Sequence, residues 1–202
     1  MRFPRLSLLL CLALCLAACS TVPSTPPSPT PAGQARHLQH LASLSRIQQF
    51  TLKGRLAVQT DGKGYSASVL WQHGADLDDI RLYSPLGSQL ARIQKTPSGM
   101  QLEDAQGRVT VGKDAESLTL SVLGWRLPLA GLADWALGRP ANGANANLTW
   151  DEAGQTVSLN EADWAMDYQQ YRATGQYVLP HKLAFKNPRV QLKLIVENWT
   201  FE

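Results

Sequence analysis

The sequence predicts a mainly β domain of the α+β class, with ten or eleven short antiparallel strands wrapped into a barrel or sandwich. Three observations predict it. From Phe50 onward, apolar and polar residues alternate with a period of two in run after run. Gly, Pro, Asn and Asp punctuate those runs at short intervals, and only two or three stretches keep a helical period, enough to cover an opening. A barrel of this size can be filled by its own side chains or can hold one ligand, and periodicity leaves both open.

The chain begins with an export signal. Arg2 and Arg5 supply a positive start, and Leu8 to Leu16 form an apolar run too short to span a bilayer comfortably. The run stops at Leu16-Ala17-Ala18-Cys19, and small residues directly before a cysteine resemble a bacterial lipobox. That resemblance implies that residues 1–18 leave as a signal peptide and that Cys19 carries an S-diacylglycerol and an N-acyl chain. The other reading is an ordinary signal peptide with an incidental cysteine. At ~0.8 kcal/mol per buried methylene, several acyl chains hold a protein on a membrane far more firmly than one. Ser20 and Thr21 follow, with no aspartate after the cysteine, which is similar to the outer-membrane class of lipoproteins. Residues 19–34 therefore read as the lipidated cysteine and a flexible tether. Ser20 to Gln34 holds five prolines among Ser, Thr and Gly, and at ~3.1 Å per residue it reaches about 40 Å.

Residues 35–202 read as the folded domain. Ala35 to Ile47 has helical spacing, with Leu38, Leu41, Leu44 and Ile47 near one face. Strands follow at Phe50–Gln59 and Tyr65–Trp71 around an Asp61-Gly62-Lys63-Gly64 turn, then at about Leu77–Tyr83 and Gln89–Lys95. Met100–Glu103 and Arg108–Val111 flank an Asp104-Ala105-Gln106-Gly107 turn. Asp114 caps a helix to Leu123 that ends at Gly124, and Pro128–Leu137 fits another, with Gly138 as its stop. Asn147–Asp151, Thr156–Asn160, Asp163–Tyr171, Tyr177–Lys186 and Val190–Val196 complete the strands.

Composition narrows the function. The net charge of +3 includes Arg2 and Arg5, so the mature chain is near neutral and lacks the basic stripe of a nucleic-acid binder. Cys11 and Cys15 leave with the signal and Cys19 takes lipid, so no disulfide forms within the domain. His37, His40, His73 and His181 read as surface residues without ligand spacing, and Asp76, Asp78 and Asp79 as a solvated loop. No nucleophile elbow, P-loop or dinucleotide fingerprint is present. The chain is expected to be no enzyme and to use no metal or cofactor beyond the lipid on Cys19.

Ser84-Pro85-Leu86-Gly87-Ser88 stands out as a turn-rich link with a leucine where a polar tip is usual. From the pattern alone, Leu86 is expected to fold back onto the sheet edge. Taken with Phe50–Val58, Gly124–Leu129, Trp135–Pro140 and Lys193–Trp199, in order and at these spacings, this link makes the chain resemble the LolB family of outer-membrane lipoprotein receptors.

The resemblance implies an incomplete antiparallel barrel of about eleven strands, with a helical lid over an apolar cavity. It implies a monomer, lipid-anchored on the periplasmic face of the outer membrane. Such a receptor accepts lipoprotein cargo from the soluble carrier LolA and inserts it into outer-membrane lipid without a cofactor. It reverses the expectation for Leu86, which would protrude to enter the membrane, with Pro85 and Gly87 shaping its loop. Candidate cavity residues are Phe50, Leu52, Leu56, Val58, Tyr65, Val69, Trp71, Leu118, Leu129, Trp135, Val190, Leu192 and Leu194. Alternation and helical spacing assign them to the inner face and leave open whether they touch lipid or one another. The rival expectation is a structural or assembly lipoprotein with a filled barrel that binds protein partners; a tethered hydrolase comes last.

Overall fold

A strand that alternates apolar and polar side chains can bury one face only, and the long strands of this sheet do so. The computed structural model describes residues 30–124, 126–127, 129–141 and 145–201. The expected signal segment, Cys19, the tether as far as Pro29, and Pro128 lie outside the described residues. The first half of the fold comprises α1 (Pro31–Leu44), β1 (Phe50–Thr60), β2 (Lys63–His73), β3 (Asp78–Tyr83), β4 (Gln89–Thr96), β5 (Gly99–Asp104) and β6 (Val109–Gly112). Next come α2 (Ala115–Leu123) and α3 (Leu129–Leu137). The chain finishes with β7 (Asn147–Trp150), β8 (Thr156–Glu161), β9 (Trp164–Thr174), β10 (Tyr177–Lys186) and β11 (Val190–Thr200).

All eleven strands form one antiparallel sheet in the order β6-β5-β4-β3-β2-β1-β11-β10-β9-β8-β7. The first and last strands meet at its centre, where Leu56 pairs with Ala67 on one side and Leu194 on the other. The two unpaired edges are β6 and β7, and the sequence between them carries α2 and α3. This is the expected incomplete barrel. Its inner face holds one continuous apolar core, including Leu52, Trp71, Ile80, Ile93, Leu183 and Leu192. At the β1–β11 seam the register shifts beside Gly54, where an added Cβ would lie 2.3 Å from the Ile195 carbonyl oxygen. Only glycine allows the two backbones to approach that closely.

Three expectations need correction. The first helix begins at Pro31, so Pro31 to Gln34 are helical and not part of the tether. Proline suits a first turn, since the N–H it lacks would have no partner there. Its buried side carries Gly33, His37 and Leu44, whereas Leu38 is 59% exposed. The helix docks near the β7–β8 turn: His37 stacks on Trp150 at 4.3 Å, and its Nδ1 lies 2.9 Å from the Gly154 carbonyl oxygen. Second, α3 is not helical through its first turn. Ala130 is extended and Gly131 has φ 86°, so regular helix starts at Leu132. Third, His37 and His181 are buried, and Asp78 and Asp79 lie inside β3 with buried side chains.

The predicted caps are present. Asp114 accepts the Ser117 N–H at 2.7 Å, and Gly124 closes α2 in the left-handed conformation. At the end of α3, Gly138 N–H donates to Trp135 and Arg139 N–H to Asp134, the paired pattern of a Schellman stop.

Candidate functional site

The concave face of the sheet closes around a small cavity of about 50 Å³, lined by aliphatic and aromatic side chains. Strands supply Leu52, Leu56, Val69, Trp71, Ile80, Leu82, Ile93, Phe185, Leu192 and Leu194, and Leu127, Leu132 and Ala136 close it from the helical side. With roughly 10–15 Å³ needed per water-sized sphere, this space holds only a few. It is too small for an extended acyl chain. Leu56 and Leu82 also line an open cleft of about 610 Å³, bounded by Val58, Tyr65, Ala67 and Leu90 and by Val122 and Leu123 at the end of α2. The cleft lies at the end of the sheet that carries the β1–β2 and β3–β4 turns.

Six of the thirteen candidates, Leu52, Leu56, Val69, Trp71, Leu192 and Leu194, line the small cavity. Val58 and Tyr65 line the cleft, with Tyr65 48% exposed. The other five pack elsewhere. Phe50 sits among Trp71, His73 and Trp199, with ring centroids 4.9 to 5.1 Å away. Trp135 donates its indole N–H to Glu161 at 2.7 Å. Leu118 faces Gly112, and Leu129 and Val190 are buried in the core away from the cavity. Alternation in β3 and β4 would have found Ile80, Leu82 and Ile93, but Asp79, Arg81 and Arg92 beside them make those strands look polar. Leu127 lies in a link with no period to reveal it.

The helical cover is fixed unevenly. α3 and the residues just after it are held by buried and half-buried polar contacts: Glu161 takes the Trp135 indole N–H and the Ala141 N–H, and Arg139 donates to the carbonyls of Leu44 and Ile47. α2 rests on β5 and β6, and Thr119 ties it to the following link through the Leu127 N–H at 2.9 Å.

Leu86 is the most exposed large apolar residue of the described chain, at 96%. The turn around it is well made. Gly87 N–H donates to the Ser84 carbonyl at 2.9 Å, Ser84 N–H to the Ser88 carbonyl at 2.8 Å, and Gly87 has φ 86°. Pro85 and Leu86 thus occupy the corners of a turn closed by a left-handed glycine. The turn presents Leu86 at its tip, in solvent and off the sheet.

Below this turn, buried Asp79 accepts two hydrogen bonds from Arg81 and two from Arg92. Burial pushes its carboxyl up, but the bonds from Arg92 and Arg81 outweigh burial and hold it below the usual carboxylate range. Asp78 accepts from the Trp71 indole N–H and from His73 Nδ1. Neither acid is a calcium ligand in a loop; both brace the β3 wall. Among the described residues, no group of three or more His, Cys, Asp or Glu converges to hold a metal ion.

Comparison with known proteins is consistent with this architecture. The family model described as "Outer membrane lipoprotein LolB" matches residues 48–199. An outer-membrane lipoprotein LolB of Nitrosomonas europaea is 36% identical over 157 residues, 77% of this chain and 74% of its own. The LolB of Thiobacillus denitrificans is 36% identical over 150 residues, 74% of this chain and 79% of its own. Among solved structures, a LolA superfamily protein of Nitrosomonas europaea aligns with a TM-score of 0.53 at 6% identity, over 84% of this chain and 93% of its own. At that identity the likeness concerns the fold alone.

Proposed function

The chain belongs to the LolB family of outer-membrane lipoproteins, and on that premise we propose that it takes lipoproteins from the carrier LolA and sets them into the outer membrane. The observation that carries the reading is Leu86, fully exposed at the tip of a well-bonded turn. Moving it from water into lipid gains roughly 1.5–3 kcal/mol, enough to bias a docked molecule towards release and too little to anchor it. Cys19, outside the described residues, is the proposed lipid anchor that keeps the domain at the membrane.

Acyl chains are insoluble, so a handover through water needs an apolar shelter at each stage. The open cleft is the proposed entrance, and the small cavity behind Leu56 and Leu82 is the part that grows on loading. Growth requires the cover to move. α3 is held to α1 and to the end of β8 by hydrogen bonds to distant elements, whereas Thr119 ties α2 only to the link that follows it, so α2 and Leu127 are the half that gives way. Transfer needs neither nucleotide nor covalent step in this reading: cargo moves because these residues hold its tails at lower free energy than the carrier does.

A second reading has one observation in its favour. The apolar cavity is small, as it would be in a filled barrel that only docks other proteins. Mixing the mature chain, residues 19–202 with Cys19→Ala to remove the anchor, with LolA loaded with an acylated lipoprotein separates the two. Cargo that co-elutes with this chain supports the receptor; cargo that stays on LolA while the proteins still associate supports the docking module.

A further inference from the structure

Three adjacent interior strands, β10, β11 and β1, expose a concentration of positive charge on their outer face. Lys53, Arg55, Lys182, Lys186 and Lys193 all point outward and are exposed, and Glu197 is the only acidic residue on these strands. Register sets them side by side. Ile195 pairs with Arg55 on one strand and Lys182 on the other, and Lys193 pairs with Ala57 and Ala184. With strands about 4.8 Å apart, Arg55, Ile195 and Lys182 span about 10 Å. Ile195 is 42% exposed, with Arg55 and Lys182 on either side and Lys193 and Glu197 before and after it on β11.

Ordinary roles do not account for the patch. Lysines often blunt the free edges of sheets, but these strands lie far from the edges β6 and β7. Glu197 pairs with Arg55 at 2.9 Å, and no acid among the described residues forms an ion pair with the four lysines. The chain as a whole is nearly balanced, so this is local concentration rather than overall basicity.

We propose that this wall is a second membrane contact, which lays the domain against anionic phospholipid headgroups while Leu86 enters the hydrocarbon. Ala57, Ala184, Ser66 and Ser68 beside the cations are small, and Asp167, beside Ala184 on β9, is the one acid that borders the patch on that side. Such a surface suits a planar, diffuse negative charge better than a shaped acidic protein. Lys186 pairs with Gln191 close to the strand ends, on the side of the molecule where the β3–β4 turn also lies, so both contacts can be met by a tilted domain. One apolar side chain binds membrane weakly, and a basic patch is the usual second element.

The proposal deepens the membrane side of the function above, yet its test uses neither carrier nor cargo, so either can fail alone. The mature chain, residues 19–202 with Cys19→Ala, is sedimented with vesicles of phosphatidylcholine alone or mixed with phosphatidylglycerol. Binding is expected to rise with anionic lipid and fall with added salt. Lys182→Gln with Lys193→Gln should weaken it about thirtyfold, roughly fivefold per charge. Lys95→Gln with Lys113→Gln, exposed residues away from the wall and the same change in net charge, should weaken it far less. Equal binding to both vesicle types, an unaffected double variant, or equal loss in the two pairs overturns the proposal. So does a double variant that keeps vesicle binding and loses only association with LolA, which would make the wall a protein surface.

Discussion

The β3–β4 and β5–β6 hairpins are closed by the same five-residue turn, and comparing them isolates Leu86. In Ser84–Ser88 and in Asp104–Arg108 the fourth residue is a left-handed glycine, Gly87 or Gly107, whose N–H bonds to the first residue's carbonyl. In both, the first residue's N–H bonds to the fifth's carbonyl, and its side chain accepts the fifth N–H. Asp151–Gln155 repeats the pattern around Gly154. The third position is Leu86 in one turn, Gln106 in the second and Ala153 in the last. The backbone therefore accepts a polar, small or large residue there. The leucine answers to something other than the turn.

If that is so, breaking Leu86 should separate function from fold. Leu86→Glu is expected to abolish lipoprotein delivery in cells depending on this chain, while stability changes by less than ~0.5 kcal/mol, as for an exposed site. Growth after depletion of the native copy and a thermal melt of the purified variant check the two halves.

The stem below distinguishes the hairpins next. Asp79 braces the β3–β4 stem through Arg81 and Arg92, so Asp79→Asn should cost roughly 1.5–3 kcal/mol in urea unfolding. Because the folded carboxyl is held low, its contribution is complete above the unfolded value and is lost as pH falls through the lowered folded value. The parent should lose stability across that acid window, and the Asn variant should lose less.

Glycine substitution sharpens the comparison further. Gly87→Ala and Gly107→Ala each force an L-residue into positive φ and should cost about 1–2 kcal/mol by denaturant titration. Delivery should fall only with the first, because only that turn presents a leucine. The smallest effect is expected of Gln106→Leu, which should leave stability within a few tenths of a kcal/mol. It should fail to rescue Leu86→Glu, since the position in the molecule matters and not merely a leucine on a turn.

Much of this was legible in the sequence because it rests on local rules. Alternation placed the strands, and Asp114, Gly124 and Gly138 marked helix ends that the structure bears out. Burial of particular groups was less legible, since it depends on partners distant in sequence. His37 looked exposed until Trp150 and Gly154 covered it, and Asp79 looked solvated until Arg92 arrived from the next strand. The kink at Gly131 was hidden because its helical spacing was intact; packing against Trp135 and Ala141 leaves no room for a side chain there. Leu86 ran the other way. Pattern favoured burial, and a turn closed by three hydrogen bonds leaves it in solvent.

The most direct measurement follows a labelled lipoprotein in two steps, from LolA to this chain and then to liposomes, for the parent and for Leu86→Glu. The account predicts equal uptake from LolA and a stalled second step in the variant. Delivery to liposomes at the parent's rate by Leu86→Glu would contradict it.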